Sequence, residues 1–234
     1  GSDDLNDGSE ENPFYTITNT LPKVVGTENA PVDIYLAEGT YSPTTNGETF
    51  AIVLFSHVNL IGAGEDVTIL NAEQTDRVIT MEYCENNIIS DLTIMDGGTN
   101  YDDYLFLWDE DGGGIYLSNS NPILSNLVIT ENSTYQGFGG GIAIFHSDPV
   151  LNNVIISNNE GLIGSGIYIR NSTALLNTVT INSNVPNRGI IIVESYSTIL
   201  SDVIVSNNIG GGISIHESTD ISLTDVLITE NTYA

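Results

Sequence analysis

Residues 99–113 read TNYDDYLFLWDEDGG, and no other stretch of the chain holds so many side chains suited to binding chemistry. Five carboxylates, Asp102, Asp103, Asp109, Glu110 and Asp111, stand among Tyr101, Tyr104, Phe106 and the single tryptophan, Trp108. Rings beside acids suit a sugar, which turns an apolar C–H face to the ring and a hydroxyl rim to the carboxylates. The same oxygens are the hard ligands that calcium collects, although the spacing Asp109, Glu110, Asp111 followed by three glycines is not that of an EF-hand loop. A solvated loop pinned by Leu105, Phe106 and Leu107 is the plain alternative. Further on, STYQGF at 133–138 adds Tyr135 and Phe138.

The charge narrows the partners. With 31 acidic residues against 4 basic ones, the net charge of -27 repels nucleic-acid phosphate and anionic membrane surfaces. No apolar run is long enough to span a bilayer. The lone Cys84 excludes an intrachain disulfide and reads as a small buried hydrophobe. Gly1-Ser2 reads as a cloning remnant, residues 1–12 as an acidic linker, and 13–30 as a separate segment before a repetitive region, 31–234.

That region is built from one unit. Gly-Ile-x-Ile/Leu recurs at Gly114, Gly141, Gly166, Gly189 and Gly212. Six residues after each glycine stands a serine: Ser120, Ser147, Ser172, Ser195 and Ser218. A leucine file follows at Leu124, Leu151, Leu176, Leu200 and Leu223, and asparagine closes each copy at Asn132, Asn159, Asn184, Asn208 and Asn231. Apolar residues alternate within a copy, so the elements are strands, about three short ones per copy separated by turns. Repeats of this length signal a solenoid in which like residues stack on like. The serine and asparagine files then become hydrogen-bonded ladders at the corners.

These features resemble the right-handed parallel β-helix proteins of the pectin-lyase-like superfamily. PVDIYLAEGTY (31–41), VNLIGAGEDVTIL (58–70) and NNIISDLTIMDGG (86–98) look like that group's opening turns. The resemblance implies an all-β, right-handed parallel β-helix of about eight coils. It also implies an N-terminal cap over 13–30, with Phe14, Ile17 and Leu21 spaced for a short helix. Because the last coil ends soon after a ladder asparagine, a fragment of a longer secreted protein is expected.

In the resembled enzymes the substrate lies in a groove along one sheet. Here the outward positions of the Gly-Ile-x-Ile strands are Tyr116, Ala143, Tyr168, Ile191 and Ser214, then Ser118, Phe145, Arg170, Val193 and His216. The expected ligand-binding set is Tyr101, Tyr104, Trp108, Tyr116, Tyr135, Phe138 and Tyr168. Candidates for catalysis are Arg170 and His146. A lyase needs a base and a cation near the uronate, and a structural Arg170–Glu194 pair competes with that role. Hydrolysis needs two carboxyl groups across the scissile bond, but the polygalacturonase motifs are absent. Asp148-Pro149 in FHSDP sits where Asn121-Pro122 stands one copy earlier and fits a turn.

Three functions remain open: an extracellular carbohydrate-associated module, a polysaccharide lyase, hydrolase or epimerase, and a structural stalk or adhesin segment. Calcium is the one cofactor considered, and a polysaccharide or cell-surface glycan the expected partner. Self-association is a further expectation, through the outward stripe Val128, Ile155, Ile204, Leu227 or through the uncapped last coil.

Overall fold

The computed structural model describes residues 2–99 and 111–233. The chain winds as a parallel β-solenoid. One sheet follows the path Val32–Tyr35, Val58–Ile61, Ile88–Met95, Ile123–Thr130, Val150–Ser157, Leu175–Asn182, Ile199–Ser206, Ser222–Thr224. Eight strands on this path mean seven turns from first to last, in line with the repeat count. A second sheet has seven strands: Ile52–Val53, Ile79–Glu82, Ile115–Ser118, Ile142–Phe145, Ile167–Arg170, Ile190–Val193 and Ile213–His216.

The predicted files are real. Leu124 pairs with Leu151, Leu151 with Leu176, Leu176 with Leu200 and Leu200 with Leu223. The first four are fully buried, whereas Leu223, in the last of the described coils, is 47% exposed. At one corner the backbone N–H of Ser120 donates to Oγ of Ser147 (2.9 Å), and that of Ser147 to Oγ of Ser172 (3.0 Å). Cys84 occupies the serine position one coil earlier. Its N–H donates to Oγ of Ser120 (2.9 Å), and its buried thiol, its pKa pushed up by desolvation, donates to the Leu54 carbonyl (3.1 Å).

The repeated glycine leaves room for the next coil and for the asparagine ladder. A Cβ on Gly141 would lie 2.7 Å from the Gly166 carbonyl oxygen, 2.9 Å from Cγ2 of Ile156 and 3.1 Å from Nδ2 of Asn159. Any side chain there would force successive coils apart.

One local expectation needs correction. Each coil was expected to carry three short strands, but two of them run together as one eight-residue strand such as Ile123–Thr130. The strand bends at Asn126 (φ 52), and Asp91, Asn153, Thr178, Asp202 and Asp225 repeat that left-handed conformation in neighbouring coils. Such a residue turns the chain while the inter-coil pairing continues on both sides of it. Among residues that carry a side chain, asparagine and aspartate enter this region most cheaply. Residues just before the two ladders, for example His146 (φ 49) and Asn158 (φ 56), turn the other corners in the same way.

At the N-terminal end lie a four-residue helix, Ile17–Thr20, and a 3-10 turn, Leu21–Lys23. Ile17 and Leu21 are buried, as their spacing suggested. Phe14 precedes the helix and instead carries the Lys23 ammonium over its ring at 4.1 Å. The helix N-terminus is held by the buried Glu48, whose carboxylate accepts from the backbone N–H of Ile17 (2.6 Å) and Thr18 (3.0 Å) and from the Thr18 hydroxyl.

Candidate functional site

The outer face of the seven-stranded sheet is set by strand register. Thr80, Tyr116, Ala143, Tyr168, Ile191 and Ser214 form one outward file, and Glu82, Ser118, Phe145, Arg170, Val193 and His216 the next. Alternation with the core residues Ile115, Leu117, Ile142 and Ile144 sends these side chains outward.

Four rings meet on this face. The Phe138 ring, arriving from the preceding loop, stacks on Tyr168 with centroids 4.5 Å apart and planes 24° from parallel. Phe145 lies 5.5 Å from Tyr168, 6.3 Å from Phe138 and 5.9 Å from Tyr116, so the cluster spans three coils. Tyr168 points outward but is only 4% exposed, and Ala143 and Ile191 are covered as well. Its ring supports Phe138 and has no open face. Tyr116, Phe138 and Phe145 are half-buried and Tyr135 is exposed.

Cations frame the rings. The Arg77 guanidinium sits 4.8 Å above the Tyr116 ring, a cation–π arrangement. At the other side, Nε of Arg170 donates to Oε2 of Glu194 at 2.9 Å. This hydrogen bond raises the Arg170 pKa, so the guanidinium is a fixed charge and no proton acceptor at neutral pH. Burial raises the phenol pKa of Tyr116, with the Glu82 and Asp111 carboxylates adding to the rise while Ser118 and Arg77 oppose it. Burial raises that of Tyr168 too. Both phenols are hydrogen-bonding groups at neutral pH.

Of the predicted site residues, Tyr101, Tyr104, Trp108, Asp102, Asp103, Asp109 and Glu110 lie outside the described residues. The ends of their segment are well placed. Gly98–Thr99 pairs with Ser133–Thr134, and the Gly112 N–H donates to the Phe138 carbonyl at 2.9 Å, so the 99–112 and 134–138 excursions start and finish side by side. Asp111 is buried, and its Oδ1 accepts from the Phe138 N–H at 2.7 Å. It thereby sets the backbone of the loop that delivers the Phe138 ring. Among the described residues no group of three or more His, Cys, Asp or Glu is arranged to hold a metal ion.

His146 is exposed at a left-handed corner. Asp148 belongs to a turn ladder: its N–H donates to Oδ1 of Asn121 (2.7 Å), and its own Oδ1 accepts from the Thr173 N–H (2.7 Å). The sequence reading missed Arg77 and Glu82, because the strand Ile79–Glu82 lacks the Gly-Ile signature of its successors. The signal that could have found it is VITME at 78–82, whose alternation matches the later strands.

A family model described as "Right handed beta helix region" matches residues 55–188. No curated protein sequence matches the chain. Among solved structures, pectin methylesterase PemA from Erwinia chrysanthemi is similar at 14% identity and a TM-score of 0.54, over 92% of this chain and 65% of that one. A pectin methylesterase point mutant in complex with hexasaccharide IV is similar at 14% identity and a TM-score of 0.53, over 92% and 66%. The chain thus spans just under two thirds of the length of these proteins, and at such identity the likeness is one of fold. Repeat, ladders, parallel register and family match agree: the chain belongs to the right-handed β-helix family.

Proposed function

We propose that this protein is an extracellular carbohydrate-binding module, and that a glycan lies along the outer face of the seven-stranded sheet. The observation that carries the reading is the contact between Tyr116 and Phe145, half-buried rings on adjacent coils, with centroids 5.9 Å apart. Successive coils rise by about 4.8 Å, so the face offers a ring at one step and another at the next, a surface suited to consecutive sugars. Ser118, Arg170 and Glu194, all partly exposed, supply hydrogen-bonding groups along the rim for hydroxyl or carboxylate substituents. Support also comes from the fold relatives, which are named as pectin methylesterases, one of them holding a hexasaccharide.

The enzyme reading receives less from the geometry. Arg170 is tied to Glu194, and His146 stands exposed at a corner. The deciding experiment is affinity electrophoresis and calorimetry against a panel of neutral and uronate polysaccharides, with and without calcium, with reducing ends and unsaturated products assayed in parallel. Binding without turnover, lost in Phe145→Ala and Trp108→Ala, is expected. Product release would establish an enzyme, and a chain that binds none of the panel would leave a structural rod.

A further inference from the structure

Negative charge outweighs positive around the aromatic face. Beside the Tyr116 phenol stand two carboxylates, Glu82 and Asp111, and one guanidinium, Arg77. Beside the Tyr168 phenol stand Asp111 and Glu194, again with one guanidinium, Arg170. Both cations are engaged. Arg77 is only 7% exposed and lies over Tyr116, and Arg170 is held by Glu194 at 2.9 Å and hydrogen-bonded to Tyr168. His216, farther along the same file, has its Nε2 hydrogen-bonded to the Ser214 hydroxyl at 2.7 Å. The chain's other two cations lie off both outward files: Lys23 sits over Phe14 in the cap, and Arg188 packs beside Gly211 in the turn before Ile190–Val193. Glu82 and Glu217 are exposed, so the negative surplus reaches the surface. The stretch 100–110 contains four further carboxylates and neither lysine nor arginine.

We propose that the glycan bound along this face is neutral, a polymer whose sugars carry hydroxyl groups and no carboxylate; the inference rests on the glycan reading above. A uronate carboxylate brought against the rings needs an opposite charge to replace its water. Among the described residues both guanidiniums of the face already serve other partners. Each uronate would also meet the repulsion of Glu82, Asp111 or Glu194, and a polyuronate repeats that encounter at every sugar. Hydroxyl groups escape both costs. The Arg170–Glu194 pair sets N–H donors beside carboxylate acceptors, and two neighbouring hydroxyls, each donor and acceptor at once, can bridge it without breaking it. Ser118, one coil from Phe145 in the same file, adds a group of the same kind. Tyr116 and Phe145 then take the C–H face of the sugar, a contact that salt leaves unchanged.

Affinity electrophoresis of the full chain in EDTA tests the charge class, in gels carrying xylan, β-glucan, galactan, polygalacturonate or carboxyl-reduced polygalacturonate. Reduction turns each carboxylate into a hydroxymethyl group and keeps the linkage, so the last two polymers differ at that group alone. At least one neutral polymer should retard the chain, with little dependence on salt. Polygalacturonate should bind at least about tenfold more weakly than that polymer in low salt, the gap narrowing as salt screens the repulsion. Glu82→Gln combined with Glu194→Gln removes two carboxylates and releases Arg170. The double variant should narrow the gap about tenfold, with its circular dichroism unchanged. Polygalacturonate binding more tightly than its reduced form or than every neutral polymer overturns the proposal and leaves the glycan reading standing. A gap that the double substitution leaves untouched does the same. A chain retarded by no polymer overturns the glycan reading, and the neutral class with it.

Discussion

The side-chain amide of Asn159 donates to Oδ1 of Asn184 at 3.0 Å, and that same oxygen accepts the backbone N–H of Asn159 at 2.9 Å. One coil below, Oδ1 of Asn159 serves Asn132 identically, and Nδ2 of Asn159 also donates to the Ile129 carbonyl. Each interior asparagine therefore satisfies groups on three segments.

Asn159→Ala leaves the buried Asn132 backbone N–H without its acceptor and takes one donor each from Oδ1 of Asn184 and the Ile129 carbonyl, although Oδ1 of Asn184 keeps the backbone N–H of residue 159 and Nδ2 of Asn132 keeps the Ile94 carbonyl. At about 1–3 kcal/mol for a buried group left wholly unsatisfied, a loss of roughly 2 kcal/mol is expected in urea unfolding. Asn231→Ala, on the last coil where water reaches the ladder, should lose less than half as much. Equal losses would mean that the ladder does not act through burial.

Thr178 is the β-branched member of the left-handed bend file, at φ 56. The file is already hydrogen-bonded upstream, with Nδ2 of Asn126 donating to Asp91 (2.8 Å) and Nδ2 of Asn153 to Asn126 (3.0 Å). Thr178→Asn removes strain and can extend this run, so it should stabilise the protein by about 1 kcal/mol, seen as a higher urea midpoint at unchanged slope.

Burial lifts the Glu48 carboxyl above its ordinary value of 4.5, against the pull of the Ile17, Thr18 and Thr49 N–H donors. The folded protein then holds the proton more tightly than the unfolded chain, so this group's contribution is fully present below 4.5 and is lost as pH rises through the raised value. The stability of wild type relative to Glu48→Gln should accordingly fall between pH 4 and pH 7 in paired melts. A difference that grows with pH would reverse the sign argued here.

The Arg170–Glu194 pair is about a third exposed on each side, at 38% and 35%. Solvent screening limits such pairs to about 1 kcal/mol or less. Arg170→Met should therefore change thermal stability little, yet weaken glycan binding on the proposed face. A large stability loss with binding intact would assign Arg170 a structural role alone.

The spacing of Gly114, Ser120, Leu124 and Asn132 and of their later copies made the solenoid legible, because stacking demands the same side chain at the same place in every coil. The N-terminal coils were harder to read. Ile79–Glu82 lacks the glycine, and Cys84 stands where serine stands elsewhere, so similarity of type did not flag either one. The bend at Asn126 was missed because asparagine and aspartate are common in turns, and nothing local says that the flanking strands keep their register through it.

What the amino-acid order by itself determined is the periodic part: which residues face inward, which form ladders, and that coils stack in parallel. Those properties follow from alternation and identity at fixed intervals. Tertiary structure alone decided what lies above the outward face. Whether Tyr168 is open or covered depends on where a loop of irregular length returns its Phe138 ring, and Arg77 reaches Tyr116 from a different coil. No periodic rule governs such contacts, because they join residues whose separation along the chain differs from one coil to the next.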